Sequence, residues 1–363
     1  MIYRAVLWFK HLCYDKGWKK SFQASVPTVS VGNITAGGTG KTPHTELILR
    51  RLLKSDAWAY SNLAVLSRGY KRSSRGFQVV PRGGSARLYG DEPVQLAGKF
   101  PSVTVAVDKD RVEGCRKLVE GMEAGVSSTS LRDPVRANVP ETPASIPAAQ
   151  LIVLDDAFQY RRLQATLNIV LVDYNRPVFK DKLLPWGRLR DLPSRLQKAD
   201  IVVVTKCPAY LTDWDRQEWK RRLKLAQGQK LFFTTVTYGA PEPVFPEADI
   251  RYTYSHRLTL VSGIADDAPL RSYLSDTYKI ARRIGFPDHH RFTKGDIRKL
   301  RAAVRENPTA CLITTEKDAQ RLRDLASVPE ELRLRLFYIP IEATFFTQEE
   351  DTAFTEALLA ALR

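Results

Sequence analysis

The sequence predicts an α/β fold: a doubly wound, mainly parallel sheet, followed by a second and smaller α/β set. Three observations carry this reading. Short apolar runs recur along the 363-residue chain and mostly end in polar residues, as buried parallel strands do. Helix-like segments alternate with them, the pattern of a parallel sheet with crossover helices. A glycine-rich stretch, GNITAGGTGKTP at 32–43, lies between the first apolar run and the first long helical segment.

The chain opens with MIYRAVLWFKHLCYDKGWKK, in which Ile2, Ala5, Val6, Phe9 and Cys13 recur at helical spacing. Arg4, Lys10, Lys16, Lys19 and Lys20 are set against one acid, Asp15. This predicts a basic amphipathic helix within a first unit, residues 1–25. Its apolar stripe is too short to cross a bilayer, but its basic residues suit an anionic membrane surface. Packing of the stripe on the protein's own core is the alternative. The strand VPTVSV (26–31) then leads into the glycine loop, and TELILRRLLKS (45–55) reads as the helix after it. LAVLSRGY (63–70) and SVTVAV (102–107) are further strands, the second followed by the helix-like DRVEGCRKLVEGM. LIVLDD (151–156), LNIVLVD (167–173) and DIVVVTK (200–206) complete a core unit spanning 26–235. Residues 123–149, rich in Ser, Pro and Ala and without periodicity, read as an exposed, mobile insertion. LFFTTVTYG and RYTYSHRLTLVSG, separated by a Pro-rich segment, are expected to form a two-stranded connector. LTLVSGIADD, ACLITTEKDAQRL and LRLFYIPI then supply the smaller set, within 236–363, with a cleft between the two.

The formal net charge of +16 points to a polyanionic partner: nucleic acid, an anionic membrane or a phosphorylated substrate. No run reaches the roughly 18–20 apolar residues of a membrane span, and no A-x-A-like cleavage site follows the first apolar segment. Cys13, Cys115, Cys207 and Cys311 lie far apart without metal-ligand spacing, which suits reduced, buried thiols.

The loop 35–42 is nearly G-x-x-x-x-G-K-[ST], with Thr35 in the place of the first glycine. Thr35, Ala36, Gly37, Gly38, Thr39 and Gly40 would line a phosphate cradle. Lys41 would reach the β- and γ-phosphates and Thr42 would hold Mg²⁺. Pro43 fits a first helical turn. LIVLDD brings Asp155 and Asp156 to a sheet edge, as a Walker-B strand brings its metal carboxylate; capping of a following helix is the bland alternative. YGDEPVQLA places Asp91 and Glu92 at a helix start, where Asp is also a favoured N-cap, so capping and proton transfer both remain open. FPDHHRF carries His289 and His290, too close together to be an i,i+4 metal pair. VTKCP and TEKD fail the N-K-x-D spacing of guanine readers, and Ala36 stands where deviant Walker-A ATPases carry a lysine. No aromatic-interleaved basic run argues for nucleic acid.

Taken together, VPTVSVGNITAGGTGKTP, VLSRGYKR (65–72), YGDEP (89–93), VAVDKDRVEG (105–114), VLDDAFQYRRL (153–163), LLPWGRLRD (183–191), FPDHHRF (286–292) and TTEKDAQRL (314–322) resemble the tetraacyldisaccharide 4'-kinase (lipid A 4'-kinase) family, in the family's order and over most of the chain. Thr35 matches the family's form of the loop. The resemblance implies a P-loop NTPase-like core, a two-stranded linker and a smaller C-terminal α/β domain. It implies an ATP- and Mg²⁺-dependent kinase that phosphorylates the 4'-hydroxyl of lipid A disaccharide 1-phosphate, giving lipid IVA, at the cytoplasmic face of the bacterial inner membrane. It makes Lys41 and Thr42 the phosphate and metal residues, Asp155 and Asp156 the Walker-B pair, Asp91 the base and His289 its partner. Arg68, Arg111, Arg190 and Asp191 become substrate contacts, although Asp191 replaces the family's glutamate. A P-loop ATPase acting with a protein or nucleic-acid partner is the alternative.

Overall fold

The structure is a computed structural model that describes residues 2–122, 145–325 and 327–363. The chain begins with α1 (Ile2–Asp15) and enters the sheet at β1 (Thr28–Gly32), followed by α2 (Lys41–Lys54), β2 (Leu63–Ser67), β3 (Gln78–Val79), α3 (Ala86–Tyr89), α4 (Asp91–Lys99), β4 (Thr104–Val107) and α5 (Arg111–Glu120). β5 (Leu151–Asp155), β6 (Leu167–Asp173), β7 (Ile201–Thr205), α6 (Asp213–Leu223) and β8 (Lys230–Tyr238) complete the first pass. The chain then builds β9 (Glu242–Pro243), β10 (Arg257–Ser262), α7 (Ala268–Ser275), β11 (Lys279–Gly285), α8 (Lys294–Glu306), β12 (Cys311–Thr315), α9 (Glu316–Arg323), α10 (Glu330–Arg333) and β13 (Leu336–Ile339). It returns through β14 (Ile341–Phe345) and ends in α11 (Gln348–Ala360).

The first sheet has nine strands in the order β14-β8-β7-β6-β1-β5-β2-β4-β3. The strands from β8 to β4 run parallel, and the edge strands β14 and β3 run antiparallel to their neighbours. The parallel strands are apolar on both faces because helices cover both. β1 lies between β5 and β6, so successive crossovers leave it in opposite directions, and its carboxyl end is the crevice where doubly wound folds bind ligands. Val29, Val31, Ile48, Leu49, Val153, Ile169 and Phe354 share one core cluster. Five of the expected strands reappear within two residues at each end as β1, β4, β5, β6 and β7, while LAVLSRGY ends three residues early, at Ser67 of β2.

The second sheet has the order β11-β10-β12-β13-β9, parallel except for β9. The connector differs from the expectation. β8 is one of its strands, but RYTYS forms a 3-10 helix (Ile250–Tyr254) and RLTLVS is β10, inside the second sheet. β8 pairs instead with β14, about a hundred residues later in sequence. α11 then buries Phe354, Ala357 and Leu358 against the first sheet rather than the second. The sequence could not show this pairing, because both partners are ordinary alternating strands and their meeting is non-local. Within the expected insertion, residues 123–144 lie outside the described residues. Ile146 and Ala149 are buried in a cluster with Leu66 and Leu154, so the segment's end belongs to the core rather than to an exposed loop.

Candidate active site

The glycine loop joins β1 to α2. Gly37 (φ 112°) and Gly40 (φ 83°) take left-handed backbone that residues with a Cβ adopt at a cost. Gly40 is the N-cap of α2 and supplies no side-chain cap, so the first-turn N–H groups are left for an anion. The loop is pinned on all sides. Thr35 forms a β-bridge with Leu189, and Ala36 N donates to Arg188 O at 2.7 Å. Asn33 Nδ2 donates to Thr39 Oγ1 at 2.6 Å, and Thr205 Oγ1 donates to Thr39 O at 3.0 Å. Lys206 at the end of β7 bonds Gly38 O and, at 2.7 Å, Asp173 Oδ2. His44 lies buried behind the loop, with Nδ1 donating to Gly40 O at 2.7 Å; burial pushes its pKa down to about 4, so it is neutral at physiological pH. Because Ala36 N is engaged by Arg188, it does not join the phosphate cradle expected of it.

Asp155 ends β5, and Asp156 follows in left-handed backbone (φ 51°). Such backbone on a non-glycine residue is sparsely populated and clusters at functional sites. Lys41 Nζ lies 3.7 Å from Asp156 Oδ1, and Arg190 binds the same carboxylate with Nη1 at 3.2 Å from Oδ2. Burial works to raise the pKa of Asp156, but Lys41 and Arg190 outweigh it and hold the carboxyl below its usual range. Asp155 is raised, chiefly by burial and then by the neighbouring Asp156 charge. Ser67 Oγ donates to its Oδ2 at 2.9 Å, while Oδ1 is buried with no partner among the described residues. An unpaired carboxylate oxygen and the buried Thr42 hydroxyl are hard donors that fit Mg²⁺. Among the described residues no cluster of three or more His, Cys, Asp or Glu side chains is built for a metal.

Asp91 begins α4, and the N-cap is Gly90 without any side-chain bond, so Asp91 does not cap the helix. Its carboxylate faces the other sheet: Arg321 of α9 donates to Oδ2 through Nε at 2.9 Å and through Nη2. His289 Nδ1 lies 3.5 Å from the same oxygen. His289 also has positive φ (60°) and sits against the Tyr70 ring at 5.5 Å between centroids. Burial raises the Asp91 pKa, but His289 and Arg321 more than offset it, and the group is held below the usual carboxylate range. His290, by contrast, donates to Asp296, which forms the capping box of α8, and so has a structural task.

Three expected substrate contacts fall differently. Arg111 is 2% exposed and donates to the carbonyls of Asp108 and Asp155, bracing β4 against β5. Asp191 is 1% exposed, and its Oδ1 accepts from His11 Nε2 of α1 at 2.6 Å and from Leu192 N at 2.8 Å, so it seats the first helix. Arg190 is turned to Asp156 and the Asn33 side chain. Arg68, at the end of β2, is exposed. Arg176 and Arg188 approach Gly37, with guanidinium nitrogens 3.7 and 3.9 Å from where its Cβ would be. Sequence reasoning missed these two, together with His44, Lys206 and Arg321. Arg188, Lys206 and Arg321 lie inside the motifs named above and His44 directly follows one, but nothing in residue type or spacing marks which polar side chain turns inward.

A P-loop followed by a lysine and a threonine, a Walker-B carboxylate pair beside it and a second carboxylate–imidazole pair across the crevice define a P-loop phosphotransferase. The tetraacyldisaccharide-1-P 4'-kinase (LpxK) family profile matches residues 1–363. The chain is 36% identical over 356 residues to the tetraacyldisaccharide 4'-kinase of Phocaeicola vulgatus, covering 96% of this chain and 90% of that one. It is 38% identical over 351 residues to that of Parabacteroides distasonis, covering 94% and 87%. The crystal structure of LpxK from Aquifex aeolicus in complex with ATP superposes with a TM-score of 0.69 at 26% identity, covering 100% of this chain and 96% of that one. The chain belongs to the tetraacyldisaccharide-1-P 4'-kinase family. That membership does not favour the alternative of a P-loop ATPase with a protein or nucleic-acid partner.

Proposed function

We propose that this chain transfers the γ-phosphate of ATP to the 4'-hydroxyl of tetraacyldisaccharide 1-phosphate, giving lipid IVA, with Asp91 taking the hydroxyl proton and His289 assisting it. The observation that carries this is the approach of His289 Nδ1 to Asp91 Oδ2, 3.5 Å, between groups from two different sheets. In the reaction the acceptor O–H bond breaks as its oxygen bonds phosphorus, the proton passes to the Asp91–His289 pair, and the β,γ-phosphoanhydride bond breaks to leave ADP. Lys41 follows the charge on the transferred phosphoryl group, and the first turn of α2 holds the β-phosphate. Thr42 and Asp155 would hold a Mg²⁺ ion, which would supply charge neutralisation on the phosphates. Arg176 and Arg188 beside Gly37, and the exposed Arg68 after β2, are the cations this reading offers to substrate phosphates. ATP turnover of the full-length protein is expected to rise strongly on adding detergent-dispersed lipid A disaccharide 1-phosphate. Stimulation by DNA instead, or by nothing, would remove the reading.

The same reading places the protein at the cytoplasmic face of the inner membrane, peripherally, through α1. No helix among the described residues is long and apolar enough to cross a membrane. α1 is seated by Leu7 and His11 and by Tyr3 Oη donating to Arg190 O at 2.9 Å, while Ile2, Val6, Trp8 and Phe9 are 83, 58, 58 and 57% exposed. Of the predicted apolar stripe only Cys13 is buried, so the rest faces away from the protein, flanked by Lys10 and Arg4. Burying one such side chain in the interface contributes about 1.5–3 kcal/mol. Replacing both Trp8 and Phe9 by Asp is expected to lower association with anionic vesicles by more than about tenfold, without a change in melting temperature. Vesicle binding equal to wild type would assign the helix another role.

A further inference from the structure

Building on Asp91 as the base, we infer that Arg321 is a positioning residue for the transfer: from α9 it fixes the Asp91 carboxylate and the His289 imidazole in one arrangement and leaves Asp91 Oδ1 for the acceptor hydroxyl. Arg321 is 7% exposed and uses its whole fork. Nε and Nη2 meet Asp91 Oδ2, Nη2 lies 3.2 Å from His289 Nδ1, and Nη1 donates to Asp318 Oδ1 at 2.8 Å and to Gly263 O at 3.3 Å. Asp318, fully buried, is itself fixed, because its Oδ2 accepts from Gly263 N and Thr315 Oγ1, both at 2.7 Å. Orientation thus passes from the second sheet through Asp318 and Arg321 to Asp91. Every described contact on Asp91 falls on Oδ2.

A purely knitting role would make Arg321 redundant. Lys317–Glu92 at 2.6 Å and Lys99–Glu316 at 2.5 Å already join α9 to α4 on either side of it. Neither of those pairs touches His289. Arg321 alone of these contacts reaches both Asp91 Oδ2 and His289 Nδ1, so it is placed to orient the two side chains together. A lysine in this place would keep the charge but lose the planar fork. The charged or titratable groups facing Asp91 are Arg321, Lys317 and Asp318 from α9, Asp324 just after it, His289 from the loop before α8, and Glu92 on α4. Arg321 is the one held in bidentate contact. Its removal weakens the bias toward the carboxylate, so Asp91 binds a proton at higher pH.

The test compares full-length Arg321→Gln, Arg321→Lys and Asp91→Asn in kcat and kcat/KM against pH, with melting temperatures. Arg321→Gln is expected to lose kcat by about 10²-fold and to move the acidic limb of kcat/KM upward by about one pH unit, with the KM for ATP unchanged. Arg321→Lys, which keeps a charge beside Asp318, is expected to melt near wild type and hold the limb in place while losing about tenfold in kcat. It carries the test if the glutamine variant does not fold. An inactive Asp91→Asn beside Arg321 variants with unchanged kcat and limb overturns the inference alone. So does a kcat loss that tracks melting temperature with the limb unmoved. An Asp91→Asn enzyme with wild-type turnover overturns the base assignment itself, and the inference with it.

Discussion

Lys41→Ala is expected to lower kcat by about 10³-fold while the protein stays folded. Lys41 is the only cation offered by the glycine loop itself, and it stands at the start of α2, where the helix N-terminus already favours phosphate. Its Nζ lies 3.7 Å from Asp156 Oδ1, a loose contact that a phosphate oxygen can replace. The fold does not depend on that contact, since Arg190 continues to pair with Asp156 and the Lys41 side chain is partly exposed. Stopped-flow or steady-state transfer to the lipid acceptor, measured beside ATP binding and thermal melting, checks both halves. A variant that turns over like wild type would sink the loop assignment; one that fails to fold would show that the lysine is structural.

Asp91→Asn is expected to keep ATP binding and to lose turnover by about 10²-fold or more. Asparagine preserves shape and the helix start, which Gly90 caps, so a loss reads on the missing negative charge. The same change deprives Arg321 of one carboxylate, but Asp318 still pairs with it. His289→Ala removes the other member of the pair. Groups that act as a unit give non-additive losses, so the double mutant is expected to cost much less than the product of the two single losses. Fully multiplicative kcat effects would mean that the two residues work independently. His289 Nδ1 approaches Asp91 Oδ2 directly, at 3.5 Å, and this contact is the geometric reason to expect coupling.

The loop and the carboxylates were legible in the sequence because their chemistry is local. A glycine needed for left-handed backbone, a lysine at a helix start and an acid ending an apolar run each declare a position within a few residues. The corresponding strands and the register of GGTGKT at the start of α2 follow from period and turn chemistry alone. Arg111 and Asp191 misled for the converse reason. The resemblance made both of them ligand contacts, yet Arg111 bonds the carbonyls of Asp108 and Asp155 and Asp191 seats α1, and only burial tells the two uses apart.

By itself, then, the sequence determined the class of fold, the glycine loop with Lys41 and Thr42 at the start of α2, the two aspartates where β5 ends, and the basic amphipathic character of the first helix. Tertiary structure alone decided that β14 returns to pair with β8, that the apolar residues of α1 face outward, and that Asp91 is held by Arg321 rather than capping α4. The physical reason is separation along the chain. Asp91 and Arg321 lie 230 residues apart, and neither periodicity nor propensity carries information over that distance. Such a pair is specified only by the packing of two sheets, which brings a buried guanidinium to a carboxylate that no local partner satisfies.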